Sequence, residues 1–212
     1  MKYSLLLLSA ILMFSGCRQK QSLKEKQQQI ETGSLNEMNE YKSAEVGWTV
    51  NLPEDWPVLT KKERDKLNEK GLKAIEENNN IKVDVTGLRE LINLKKDLFN
   101  SFISTIEPYS EKETGTYDEN NKKIIDILKQ TYAGKGMKAE YDEGKEKIDG
   151  LEFYTFSTRI YSPDKSKIIL YQKMYSRLIN GYDLGITMTY NNEEDKKTLE
   201  NVIASSKFSI RN

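Results

Sequence analysis

Apolar and polar positions alternate along this chain with two periods. Val46, Trp48, Val50 and Leu52 recur at every second position, the period of a half-buried strand. Pro53 has no amide to give to a ladder and ends that strand. Thr60-Lys61-Lys62-Glu63 is a capping box, and the helix it opens carries Leu67, Gly71, Ala74 and Ile75 on one narrow stripe. Residues 79–90 leave loop, short helix and strand open. Leu91 to Leu94 and Asn100 to Ile106 read as strands. Asp118 is placed to cap a second helix with Ile124, Ile125, Leu128 and Tyr132 inward, stopped by Gly134 and Gly136.

Three β-rich runs follow: Lys147–Tyr161, Lys167–Leu178 and Tyr182–Tyr190. Ser162-Pro163-Asp164 and Asn180-Gly181 join them, and Asn-Gly suits a type I′ turn. Asn192 to Asp195 open a last helix with acidic groups where the dipole favours them. Leu199, Val202 and Ile203 line its inner face, and Lys207 to Ile210 close a short strand. Strands, helix, hairpins and helix together predict an α+β fold with a mostly antiparallel sheet.

The amino terminus has a different pattern. Leu5 to Phe14 is an apolar run interrupted only by Ser9 and preceded by Lys2. It is too short to span a bilayer as a helix, which takes about 20 residues, and suits a signal peptide. Phe14-Ser15-Gly16-Cys17 resembles the bacterial lipobox, with Phe14 where Leu is usual. That resemblance implies a signal peptide over 1–16, cleavage after Gly16 and a diacylglyceryl thioether on Cys17, with palmitate or a similar chain on the new amino group. Multiple acyl chains anchor a protein stably to a membrane. Arg18 follows the cysteine, so no acidic inner-membrane retention signal is present. The expected address is the periplasmic side of the outer membrane in a Gram-negative cell, or the outer face of the plasma membrane in a Gram-positive one.

Residues 17–44 then read as the lipidated cysteine and a flexible polar tether, rich in Gln, Lys and Glu, with a helix around Leu23 to Ile30 as the alternative. Residues 45–212 read as one domain.

Composition narrows the chemistry. Thirty-three Lys+Arg balance 33 Asp+Glu among 212 residues, which gives nucleic acid no excess basic charge to bind. There is no histidine and one cysteine. Histidine-based triads, His/Cys zinc sites and disulfides are thereby excluded. No glycine-rich phosphate loop follows a strand. No cofactor and no metal are expected: Glu76-Glu77 and Glu193-Glu194-Asp195 read as solvated helix surface. Asp142, Glu143 and Glu146, read as flanking a turn at Gly144, lack calcium-loop spacing.

Gly47-Trp48-Thr49-Val50-Asn51-Leu52-Pro53-Glu54-Asp55-Trp56 resembles the opening of the Mog1/PsbP-like superfamily. The meander around Ile148 to Phe153, the run Gly181-Tyr182 to Tyr190 and the closing Ser205-Ser206-Lys207-Phe208 extend the resemblance over residues 45–212. It implies an antiparallel sheet of six or seven strands flanked by helices in an α/β/α sandwich. It also implies a non-catalytic binding, chaperone-like or accessory role, as in photosystem accessory proteins, a nuclear-transport factor and envelope lipoproteins. The partner implied is an envelope protein or a glycan or lipid ligand. A carboxylate- or Lys/Ser-dependent hydrolase of cell-wall or glycan substrates is the alternative.

Strand alternation supplies one candidate site. Tyr171, Lys173, Tyr175 and Arg177 recur at every second position and must share a face. On the adjacent strand Thr187 and Thr189 are expected beside them. Flat rings and cations on one face suit a glycan, an anion or a peptide.

Overall fold

The structure is a computed structural model that describes residues 21–209. The segment expected to be a signal peptide, and Cys17, lie outside the described residues. The chain forms α1 (Leu23–Gln29), β1 (Ser34–Leu35), β2 (Glu40–Ser43), β3 (Trp48–Asn51), α2 (Lys61–Asn79), β4 (Arg89–Lys95) and β5 (Ser101–Pro108). There follow α3 (Glu111–Thr114), α4 (Tyr117–Gly134), β6 (Ala139–Ile148), β7 (Leu151–Tyr161), β8 (Ile168–Ile179), β9 (Tyr182–Tyr190), α5 (Glu193–Ser205) and β10 (Lys207–Phe208).

Two antiparallel sheets result. The larger has six strands in the order β4-β5-β9-β8-β7-β6, and the smaller has the order β1-β2-β3-β10. One face of the large sheet, with Phe102, Ile106, Leu184, Ile186 and Phe153, packs on Tyr41, Trp48 and Val50 of the small sheet and on Leu199 and Val202 of α5. The other face, with Phe156, Ile160, Leu170 and Met174, packs on Ile75 of α2 and on Ile124, Leu128 and Tyr132 of α4. The fold is α+β, as the alternation implies. The strand from Trp48 forms part of the second, smaller sheet.

The polar stretch expected to be a flexible tether is folded from Gln21 onward. Ser22 caps α1 in a capping box with Glu25, and β1 and β2 build the edge of the small sheet on β3. Two buried cations hold this stretch down. Lys26 is 1 % exposed and donates to the carbonyls of Pro53 (3.1 Å) and Glu54 (2.8 Å). Arg64 donates to the carbonyls of Gln29 and Leu59 and meets the carboxylate of Glu31, each at 2.7 Å. Composition mistook the stretch for a tether because it docks by satisfying backbone carbonyls as well as by burying aliphatic surface.

Three further expectations are corrected. The cap of α4 is Thr116, whose hydroxyl accepts from the Glu119 amide while Glu119 reaches back; Asp118 sits inside the first turn. Residues 142–146 are not a turn but the middle of β6, paired with β7 from Ala139↔Ile160 to Ile148↔Leu151. The real turn is Asp149-Gly150, both at positive φ (49° and 80°), a geometry that suits Asp and Gly. The run 147–161 is therefore a hairpin. Residues 80–88 connect α2 to β4 through a single bridge residue at Asp84 and a turn at Thr86-Gly87, without a helix or strand of their own.

Candidate binding surface

The register of the central strands decides what the four candidate residues can do. Tyr175 lies opposite Ile186, Lys173 opposite Met188, Arg177 opposite Leu184 and Tyr171 opposite Tyr190. Directly opposed residues point to the same side of a sheet. The four thus share a face with the apolar side of β9, and this face looks toward α5 and the small sheet. Thr187 and Thr189 lie on the other side, opposite Met174 and Gln172, contrary to the expectation. Alternation fixes which residues of one strand share a face, while pairing register fixes how two strands match, and a one-residue slip exchanges the faces.

Along that face the four residues differ. Tyr171 is half-buried and stacks on Tyr190, with ring centroids 5.4 Å apart and planes at 10°. Tyr175 is 4 % exposed and belongs to the core. Burial pushes its hydroxyl well above the ordinary tyrosine range, with the neighbouring Glu146 carboxylate adding to the effect. Arg177 is half-buried, donates to the carbonyl of Glu152 and lies 5.9 Å from the centroid of the Phe153 ring.

Lys173 and Tyr175 line a solvent-open trough of about 350 Å³ beneath the C-terminal half of α5, with Glu146, Ile148, Glu200 and Ala204. The Lys173 ammonium meets Glu146 at 2.5 Å and stands 5.2 Å from the Tyr175 ring centroid. The Tyr175 hydroxyl donates to the other Glu146 oxygen at 3.4 Å. Glu146 thus orients both cation and phenol. Sequence reasoning met Glu146 only as a rejected calcium ligand, because β6 carries charges at successive positions and shows no apolar alternation that would pair it with Lys173 and Tyr175. It missed Glu200 because the helix stripe was read for core positions only.

A second, smaller concavity of about 120 Å³ opens on the opposite face, between α4 and β6–β8. Ile124, Leu128, Phe156 and Met174 line it, and Asp118 and Tyr154 stand at its rim. Tyr154 donates to Asp118, and this bond raises the phenol above its ordinary value. Among the described residues, no group of three or more carboxylates or cysteines is placed to hold a metal. None of the described helices is long and apolar enough to cross a membrane.

No family model and no curated protein sequence matches the chain. Solved structures do. The solution structure of cyanobacterial PsbP (CyanoP) from Synechocystis sp. PCC 6803 superposes with a TM-score of 0.51 at 14 % identity, covering 84 % of this chain and 98 % of that one. The fold is PsbP-like. A crystal structure from Bacteroides thetaiotaomicron VPI-5482 matches with a TM-score of 0.42 and 11 % identity, over 82 % of this chain and 49 % of that one. At these identities the likeness concerns the fold of the PsbP-like domain; what its surface does has to be argued from its own residues.

Proposed function

We propose that this protein is a lipid-anchored, extracytoplasmic binding module. It attaches to the membrane through Cys17, and its PsbP-like domain engages an envelope protein or glycan without catalysing a reaction on it. The observation that carries the binding role is the solvent-open trough under α5, where Glu146 holds the half-buried Lys173 beside the edge of the core residue Tyr175. An ammonium, carboxylates and a phenol edge in one shallow concavity recognise polar, extended ligands by hydrogen bonds. The PsbP-like fold is compatible with an accessory role, and the lipobox-like Phe14-Ser15-Gly16-Cys17 motivates the anchor.

Site-specific photo-cross-linking in intact cells tests this. A cross-linker replacing Lys147, which also lines the trough, is expected to trap a discrete envelope component, whereas one replacing Lys112 is expected to trap none. Equal yields from both positions, or turnover of an envelope polymer by the purified protein, would overturn the reading.

A further inference from the structure

The described fold begins at Gln21, four residues after Cys17. Gln21 is fixed: its side-chain amide donates to the Val58 carbonyl at 3.1 Å and accepts from the Val58 amide at 2.8 Å. Val58 in turn bridges Leu94 near the end of β4, and the Lys95 amide donates to the Pro57 carbonyl at 3.1 Å. The described chain therefore starts at one end of the large sheet, at its β4 edge. Four residues reach at most about 14 Å when fully extended. A lipid on Cys17 would therefore hold the start of the domain within about 14 Å of the bilayer.

The same end of the sheet holds the turns 96–100 and 162–167, the connection 135–138 from α4 into β6, and the start of α5. Asp195 takes up Lys96 at 2.6 Å, and Glu193 and Glu194 stand near Lys196 and Lys197 in the first turns of α5. Over β6–β8 the balance differs. Lys135, Lys138, Lys165 and Lys167 are exposed there, and none of the four forms an ion pair among the described residues. Lys138 rests 3.8 Å from the Tyr161 ring centroid. Asp164 is the acidic residue in these two connections, and it is bound to Ser162 and Ser166. At the opposite end, 149–150, 180–181 and 109–116 carry Asp149, Glu111 and Glu113 against Lys112.

We infer that the end of the sheet bearing Gln21 and the four lysines lies against the bilayer, with the lysines on anionic lipid headgroups. The inference rests on the anchoring through Cys17 proposed above. The anchor holds the β4 edge, and the lysines hold the β6–β8 side, across a sheet about 24 Å wide at the usual strand spacing. Two attachments so separated stand the strands upright on the membrane. Basic groups near an anionic surface each add to its attraction. The trough, which reaches Ile148 and Asp149 at the far end of the sheet, then faces away from the lipid toward a partner.

The lipidated full-length protein on vesicles of phosphatidylglycerol and phosphatidylcholine, doped with a nickel-chelating lipid, tests this. A nitroxide is placed on Ser166→Cys or on Lys112→Cys, with Cys17 blocked by its thioether. The Ser166 label is expected to relax several-fold faster than the Lys112 label. Reversing all four lysines, as K135E, K138E, K165E and K167E, should leave the protein on the vesicles and erase that difference. Equal relaxation at the two labels in the unreversed protein, with the thioether on Cys17 confirmed by mass, would overturn the orientation and leave the anchor standing. A free Cys17 thiol in the cell-derived protein would remove the anchor itself, and the orientation with it.

Discussion

The side-chain amide of Gln21 pairs with both backbone groups of Val58, donating at 3.1 Å and accepting at 2.8 Å. A glutamine thus takes the place of a strand partner for a residue only 1 % exposed. Gln21→Ala should cost about 1–2 kcal/mol, the worth of two net hydrogen bonds. Denaturant unfolding checks this. An unchanged midpoint would mean that water replaces the amide without loss.

Arg64 gives a larger effect. Its side chain is 7 % exposed, it lies 3.5 Å from the Glu90 carboxylate, which is 11 % exposed, and it also holds Glu31 and the Gln29 carbonyl. Arg64→Met leaves the nearly buried Glu90 carboxylate without its cation, held only by the Asn68 and Asn93 amides, and releases the segment after α1. A loss of about 3 kcal/mol is expected, as for other broken buried pairs. Hydrogen exchange should quicken in residues 22–43 before the rest of the domain.

The double change Tyr171→Ala with Tyr175→Ala separates surface from core. Tyr175 is 4 % exposed and part of the core, so its removal alone should destabilise by about 3 kcal/mol, as other buried aromatic truncations do. Tyr171, half-buried on Tyr190, should cost far less. Thermal melts of the two single variants measure the contrast. Similar melting points would contradict the register that puts Tyr175 inward.

Alkaline pH should unfold the domain. Burial raises the hydroxyls of Tyr41, Tyr117, Tyr132 and Tyr175 above the ordinary value of 10.0. Their folded values exceed the unfolded ones, so the stability they contribute is complete below about pH 10 and is lost as pH rises toward the folded values. Tyrosinate absorbance and circular dichroism followed together should show a cooperative transition at high pH. Tyrosinate appearing for every tyrosine near pH 10 with structure intact would contradict this burial.

Much of this architecture was legible in the chain. The Thr60 capping box, the Asn180-Gly181 turn and the alternating burial of Val46, Trp48, Val50 and Leu52 lie in local patterns, and the structure has each of them, although the strand itself runs only from Trp48 to Asn51 and Val46-Gly47 form a turn. What stayed hidden depends on distant partners. Lys26 and Gln21 read as solvent-loving until the carbonyls of Pro53, Glu54 and Val58 are brought to them. β6 is an edge strand whose charges guard its free edge, and so it has no apolar period to recognise. The trough was half legible: Lys173 and Tyr175 were singled out by alternation, while Glu146, which orients them, lies 27 and 29 residues away.

Mass spectrometry of the detergent-extracted protein tests the central claim, a binding domain held at the membrane by a lipid on Cys17. The account predicts an amino-terminal peptide beginning at Cys17 and carrying a diacylglyceryl thioether, absent from a Cys17→Ala variant that also leaves the detergent phase. A chain still beginning at Met1, or one cleaved but bearing a free Cys17 thiol, would contradict it.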